Sequence, residues 1–272
     1  MDCQYIEIDN CKIAYIEKNK DAADTIFFIP GNSVSKKVWR KQLESTELST
    51  YRLIAVDFPS HGDSVPMNGT PYTFAGLAQM LSHVVVQLSN NKPYILAGIS
   101  LGTNIVVEML AFTITPEGLI LAGPCIFGKN YKVDQIAKPG THVGVVFTDD
   151  PDEEDVLSYA HETSLSQNTE DVEIFLEDFK SVKAPFRSAV AKSIFDGNFN
   201  DEVALLKEKN IPTLVVFGKG EVVVNSDYLD DAGLPLWNNK VYKIEGASHL
   251  VNIDQPVEFN KLMKEFAAAI FR

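Results

Sequence analysis

Five unbroken apolar runs limit how this chain can fold. Thr25-Ile26-Phe27-Phe28-Ile29, Leu53-Ile54-Ala55-Val56, Tyr94-Ile95-Leu96-Ala97, Gly118-Leu119-Ile120-Leu121 and Thr213-Leu214-Val215-Val216-Phe217 show no polar alternation. A strand with one wet face alternates, whereas a continuous apolar strand is buried on both faces, as in a parallel sheet covered by helices. Segments of helical period, Phe74 to Leu88 and Thr103 to Phe112, lie between the runs and supply crossovers. The expected class is therefore α/β, a mostly parallel doubly wound sheet. In front of it, Tyr5-Ile6-Glu7-Ile8 and Ile13-Ala14-Tyr15-Ile16 flank Asp9-Asn10 and read as an antiparallel hairpin. A last helix shows one apolar face, Phe259, Leu262, Met263, Phe266 and Ile270, with Asp254 expected as its cap and Pro256 in its first turn.

The alternation stops between about Phe127 and Leu206. Val172, Phe175, Leu176 and Phe179 recur at helix spacing there, as do Phe186, Val190 and Ile194, while Val143-Gly144-Val145-Val146-Phe147 is a weak strand-like run. The expected organisation is a core of residues 1–126 and 207–272 with a helical cap, 127–206, inserted over the site. The acid-rich stretch Asp149-Asp150-Pro151-Asp152-Glu153-Glu154-Asp155 has the charge to chelate a cation, but its place before a helical segment favours a solvated turn and helix start.

With 272 residues and 45% hydrophobic content the chain can bury one such core. A formal net charge of -13 repels polyanions, so neither nucleic acid nor an acidic membrane surface is expected as partner. Met1-Asp2-Cys3-Gln4-Tyr5 lacks the basic start and apolar stretch of a leader, and no apolar run is long enough to span a membrane. Cys3, Cys11 and Cys125 have no metal or redox spacing and read as buried small hydrophobes in a cytoplasmic protein.

Chemistry concentrates in Gly98-Ile99-Ser100-Leu101-Gly102, which follows a buried-strand run and precedes a helical one. Small flanking residues let such a strand-turn-helix corner hold a serine strained and exposed, which makes Ser100 the candidate nucleophile. A serine hydroxyl needs a base, and the base needs a group that fixes its tautomer. Of five histidines, His249 follows the strand-like Val241 to Ile244 and precedes the last helix. His61 lies in a turn with a structural role, His83 in a helix, and His142 and His161 in the expected cap. Glu221 is the first carboxylate after the run Thr213 to Phe217, with Asp227, Asp230 and Asp231 as second choices. Oxyanion donors are expected from the backbone of Leu101 and, in the turn Pro30-Gly31-Asn32-Ser33, of Asn32.

Over its whole length the chain resembles an α/β-hydrolase. Besides the Ser100 corner, Asp57-Phe58-Pro59-Ser60-His61-Gly62-Asp63-Ser64 is similar to a turn common in that fold, and Gly218 before Glu221 and Gly246 before His249 match its remaining landmarks. Gly31-Asn32-Ser33, Asp155-Val156-Leu157-Ser158-Tyr159-Ala160 and the glutamate at 221 look like the metal-independent N-acyl-homoserine lactone hydrolases. That resemblance implies a serine hydrolase acting on a small ester or lactone, no metal or cofactor, and a substrate site at Gly31, Ile99 and Tyr159. Pro30 stands where a histidine is usual, Thr103 where a glycine is, and Ile99 where that group has tryptophan, which implies a reshaped pocket. Dehalogenase and epoxide hydrolase relatives use aspartate in place of Ser100. Thioesterase, peptidase and cofactor-free peroxidase activities stay open, and so does a sensor that binds ligand without turnover.

Overall fold

The computed structural model describes residues 2–67 and 71–272, so Met1, where the leader reading begins, lies outside it. In chain order the strands are β1 (Cys3–Ile8), β2 (Cys11–Lys18), β3 (Thr25–Ile29), β4 (Arg52–Val56), β5 (Tyr94–Ile99), β6 (Gly118–Ala122), β7 (Thr213–Gly218) and β8 (Leu236–Ile244). They form one sheet in the order β1-β2-β4-β3-β5-β6-β7-β8. The pairs β1/β2 and β2/β4 are antiparallel and every other pair is parallel, as the sequence pattern requires.

Alternate residues of the central strands feed two cores. Phe27, Leu96, Leu121 and Val215 pack with Leu77, Leu81, Val84 and Ile105 of α2 (Phe74–Ser89) and α3 (Leu101–Glu108) on one face. Ile26, Ala97, Ile120 and Val216 pack on the other with Trp39, Phe259, Met263 and Phe266. Two-residue periodicity thus sends one strand to both cores, and for that reason the runs show no polar break. Phe27 is fully buried, and truncating such a side chain to alanine costs about 3–5 kcal/mol.

A short helix, α1 (Arg40–Leu43), follows β3. The segment between β6 and β7 holds α4 (Val133–Ile136), α5 (Glu153–Thr163), α6 (Thr169–Ser181), α7 (Phe186–Phe195) and α8 (Glu202–Lys209). Val143–Phe147 is a 3-10 turn, not a strand: the Val145 N–H donates to the His142 carbonyl, 3.1 Å away, and among the described residues the run pairs with no strand. The acid-rich stretch opens α5, with the Asp152 side chain accepting from the N–H groups of Glu154 and Asp155. The expected cap boundary at 206/207 falls inside α8.

At the C-terminus, α9 (Val251–Asp254) and α10 (Pro256–Ile270) correct one expectation. Gln255, not Asp254, precedes α10, with Pro256 as its first residue. Asp254 ends α9 instead, and its carboxylate is engaged with residues 164–166 and 248.

Candidate active site

The segments after β3, β5 and β8 bring Asn32, Ser100, Leu101 and His249 to one cavity of about 100 Å³, and α5 brings Tyr159 to it. Ser100 sits between β5 and α3 with φ 52 and ψ -126, a conformation that non-glycine residues adopt only when the surroundings enforce it. The enforcement is visible at the neighbouring glycines. A Cβ on Gly98 would lie 2.4 Å from the Gly102 carbonyl oxygen, and one on Gly102 would lie 2.4 Å from that of Pro30. The backbone N–H of Ser100 donates to Ala122, and its carbonyl accepts from Thr103, which ties the corner to β6 and α3.

His249 and Glu221 are both buried, and His249 Nδ1 lies 2.7 Å from Glu221 Oε2. The other carboxylate oxygen accepts from the N–H groups of Val223 and Val224, at 2.7 and 3.2 Å. Burial pushes the Glu221 carboxyl up, but the His249 ring and these hydrogen bonds outweigh it and hold the group below its usual range. An ionised Glu221 accepts a hydrogen bond from the Nδ1–H, which leaves the lone pair on Nε2. That buried Nε2 has no hydrogen-bond partner among the described residues. Asp227 and Asp230 instead pair with Lys243 at the surface, at 2.6 and 2.7 Å.

Among the described residues, the backbone N–H groups of Asn32 and Leu101 have no intramolecular acceptor, as oxyanion donors require. His61 supports the first of them from behind. Its Nδ1 faces the Pro59 carbonyl at 3.1 Å, so its Nε2 accepts from the Ser33 N–H, also at 3.1 Å. Burial lowers its pKa to about 3 and keeps the ring neutral. The turn around it is anchored by Asp57, which accepts from Lys36 Nζ at 2.6 Å and from the Asp63 N–H at 2.9 Å.

Two expected substrate residues sit differently. Ile99 is fully buried among Ile120, Ala122 and Val216 and is not on the cavity wall, because side chains alternate along β5 and position 99 faces the sheet's interior. Gly31 is not on the wall either but stands behind Ser100, where a Cβ would come within 3.2 Å of the serine Cβ. The sequence reading missed several wall residues. Phe74, Phe127, Val190 and Ile194 form apolar wall, while Asn104 and Cys125 add a polar spot joined by a 3.0 Å contact from Cys125 Sγ to Asn104 Oδ1. The helical pattern at Ile105, Val106, Met109 and Leu110 was the available signal that α3 also presents Asn104. Among the described residues no cluster of three metal-ligating side chains occurs, and no helix is long and apolar enough to cross a membrane.

Relatives agree with this architecture. The N-acyl homoserine lactonase AidH, in a mutant form complexed with N-hexanoyl homoserine lactone, superposes with a TM-score of 0.88 at 25% identity, over 98% of this chain and 97% of that one. A putative aryl esterase from Burkholderia cenocepacia shares the fold at a TM-score of 0.82 and 19% identity, over 99% of both chains. Monoacylglycerol lipase ABHD6 of Rattus norvegicus is 19% identical over 285 residues, 99% of this chain and 83% of that protein. Residues 26–262, from β3 into α10, match the profile of the alpha/beta hydrolase family. The eight-stranded sheet and this match agree: the chain belongs to the alpha/beta hydrolase family.

Proposed function

We propose that the protein hydrolyses small carboxylic esters or lactones through an acyl-enzyme on Ser100. The observation that carries this reading is the state of His249: one ring nitrogen is held by Glu221, and the other is buried and unpartnered at a cavity shared with Ser100. In the reaction, Nε2 takes the Ser100 proton as Oγ bonds to the carbonyl carbon. The oxyanion is held by the N–H groups of Asn32 and Leu101. Collapse breaks the bond to the leaving oxygen, which receives the proton from Nε2. Water then gives its proton to Nε2 and attacks the acyl carbon, and the second collapse returns the proton to Ser100 and frees the acid. Glu221 stays ionised and balances the imidazolium each time.

The insertion acts as a cap in this reading. Val133, Val143, Val146, Phe147, Tyr159 and Val190 line the cavity from it, so an apolar acyl group would lie between cap and sheet. The likeness to AidH and the place of Tyr159 favour a lactone, with Tyr159 against the ring. Hydrolysis of a short p-nitrophenyl ester and of an acyl-homoserine lactone by wild type and Ser100→Ala tests the proposal. We expect turnover of both by the wild type and of neither by the variant. A Ser100→Ala protein that retained activity would overturn the acyl-enzyme, and a wild type that cleaved only the ester would overturn the lactone.

A further inference from the structure

Arg187, on α7 of the insertion, is 3% exposed, yet no carboxylate lies within ion-pair distance of it among the described residues. A buried guanidinium with no carboxylate in direct contact is costly: burial lowers its pKa to about 10, although the more distant Asp149 carboxylate opposes the shift, and the group stays charged at neutral pH. What it touches accounts for its presence. One terminal nitrogen donates to the Phe179 carbonyl, the guanidinium carbon lies over the Phe179 ring, 4.0 Å from its centroid, and Nε donates to Ser33 Oγ at 2.8 Å.

Arg187 can only donate, and this sets the direction of everything beyond it. Ser33 Oγ accepts from Nε, so its own proton points to Asn32 Oδ1, 2.9 Å away. With Oδ1 occupied, the Asn32 amide donates through Nδ2 to the Val146 carbonyl at 2.9 Å. Ser33 itself is at φ 64, and its N–H is taken by His61. The segment that presents the Asn32 N–H is thus fixed by a one-way chain that starts in the insertion.

We propose that Arg187 is a positioning residue for the oxyanion turn, acting through the Ser33 hydroxyl on Asn32. The proposal rests on the serine-hydrolase reading above. Lysine cannot replace it, because a single ammonium does not reproduce the planar fork that reaches both Ser33 Oγ and the Phe179 carbonyl over the ring. A displacement of the oxyanion donor should appear in kcat more than in KM, since the donor acts on charge that develops in the transition state.

The test compares kcat and KM on a p-nitrophenyl ester, and the rate of Ser100 labelling by a fluorophosphonate, for wild type, Arg187→Lys, Arg187→Ala and Ser33→Ala. We expect kcat and labelling to fall on the order of 10- to 100-fold in each variant with KM within about threefold. Millimolar guanidinium, not ammonium, should restore part of the loss in Arg187→Ala. Ser33→Ala breaks the relay with Arg187 in place, so a wild-type kcat there overturns the relay even where an Arg187 variant does not fold. Wild-type kcat in Ser33→Ala or in folded Arg187→Lys overturns the role of Arg187 while leaving the serine hydrolase standing. A wild type that neither turns over nor labels overturns both.

Discussion

Asp254 Oδ2 accepts a hydrogen bond from the backbone N–H of Ser248, 2.8 Å away and one residue before His249. Its other oxygen accepts from Ser164 Oγ and from the N–H groups of Leu165 and Ser166, just past the end of α5. The His249 loop is further bound to α5 by Ser248 Oγ donating to the Glu162 carbonyl and by the Leu250 N–H donating to that of Thr163. The loop that carries His249 is therefore tied by several hydrogen bonds to the helix that carries Tyr159. Asp254→Ala removes the clamp and leaves several donors to water; we expect a loss of about 2 kcal/mol in urea unfolding and a fall in kcat of roughly tenfold. Unchanged urea midpoint and kcat would show that the other two bonds hold the loop alone.

Glu221→Gln preserves shape and removes charge. Its amide can donate to His249 Nδ1, which would move the imidazole proton to Nε2 and abolish the lone pair that takes the Ser100 proton in the proposed reaction. We expect kcat to drop by about 10⁴ with KM little changed, as for the equivalent loss in other triads. Steady-state kinetics on the p-nitrophenyl ester reads this directly, and a drop of less than about tenfold would mean that Glu221 does not set the tautomer.

Gly102→Ala places a methyl group 2.4 Å from the Pro30 carbonyl oxygen and 2.5 Å from that of Ile29. Backbone on both sides leaves no flexible side chain to yield. We expect at least about 2–3 kcal/mol of destabilisation by thermal or urea unfolding. A variant of wild-type stability would show that β3 and α3 can separate without cost.

The parallel strands were legible because burial on both faces writes itself as unbroken apolar runs, as in Thr25 to Ile29. Ser100 and Glu221 could be singled out because each follows such a run by a few residues, and His249 because it follows the strand-like Val241 to Ile244 before the last helix; the structure places Ser100 and His249 on one cavity and Glu221 against His249. What escaped was carried by pairings distant in sequence. Asp254 stands just before Pro256 and looks like a local helix cap, but its partners lie at 164–166 and 248. Arg187 gives no local hint of Ser33, which lies 154 positions earlier. Ile99 is placed at the substrate site by the resemblance alone, and its side chain packs into the core instead of the cavity wall. Val143 to Phe147 has strand composition without a strand to pair with, and tertiary context overrides that propensity.

His61 gives a pH signature in stability as well as in the turn it supports. In the folded protein its pKa is lowered to about 3, first by burial and also by the nearby Arg187 charge, whereas an exposed histidine titrates near 6.5. Between those values the unfolded chain binds a proton that the folded chain refuses, so stability rises with pH across that window. This contribution is fully present above about pH 6.5 and is lost as the pH falls toward 3, with a slope of at most about 1.4 kcal/mol per pH unit from this one group. The Ser33 N–H needs an acceptor on Nε2, so protonation would also release the turn that carries Asn32. In His61→Gln the side-chain oxygen can still accept from Ser33, but nothing at the position titrates. Urea unfolding of wild type and variant at several pH values from 4 to 8 should therefore show a shallower acid dependence in the variant, by up to one proton. Parallel curves for the two proteins would mean that acid destabilises the fold through other groups and that His61 is not its sensor.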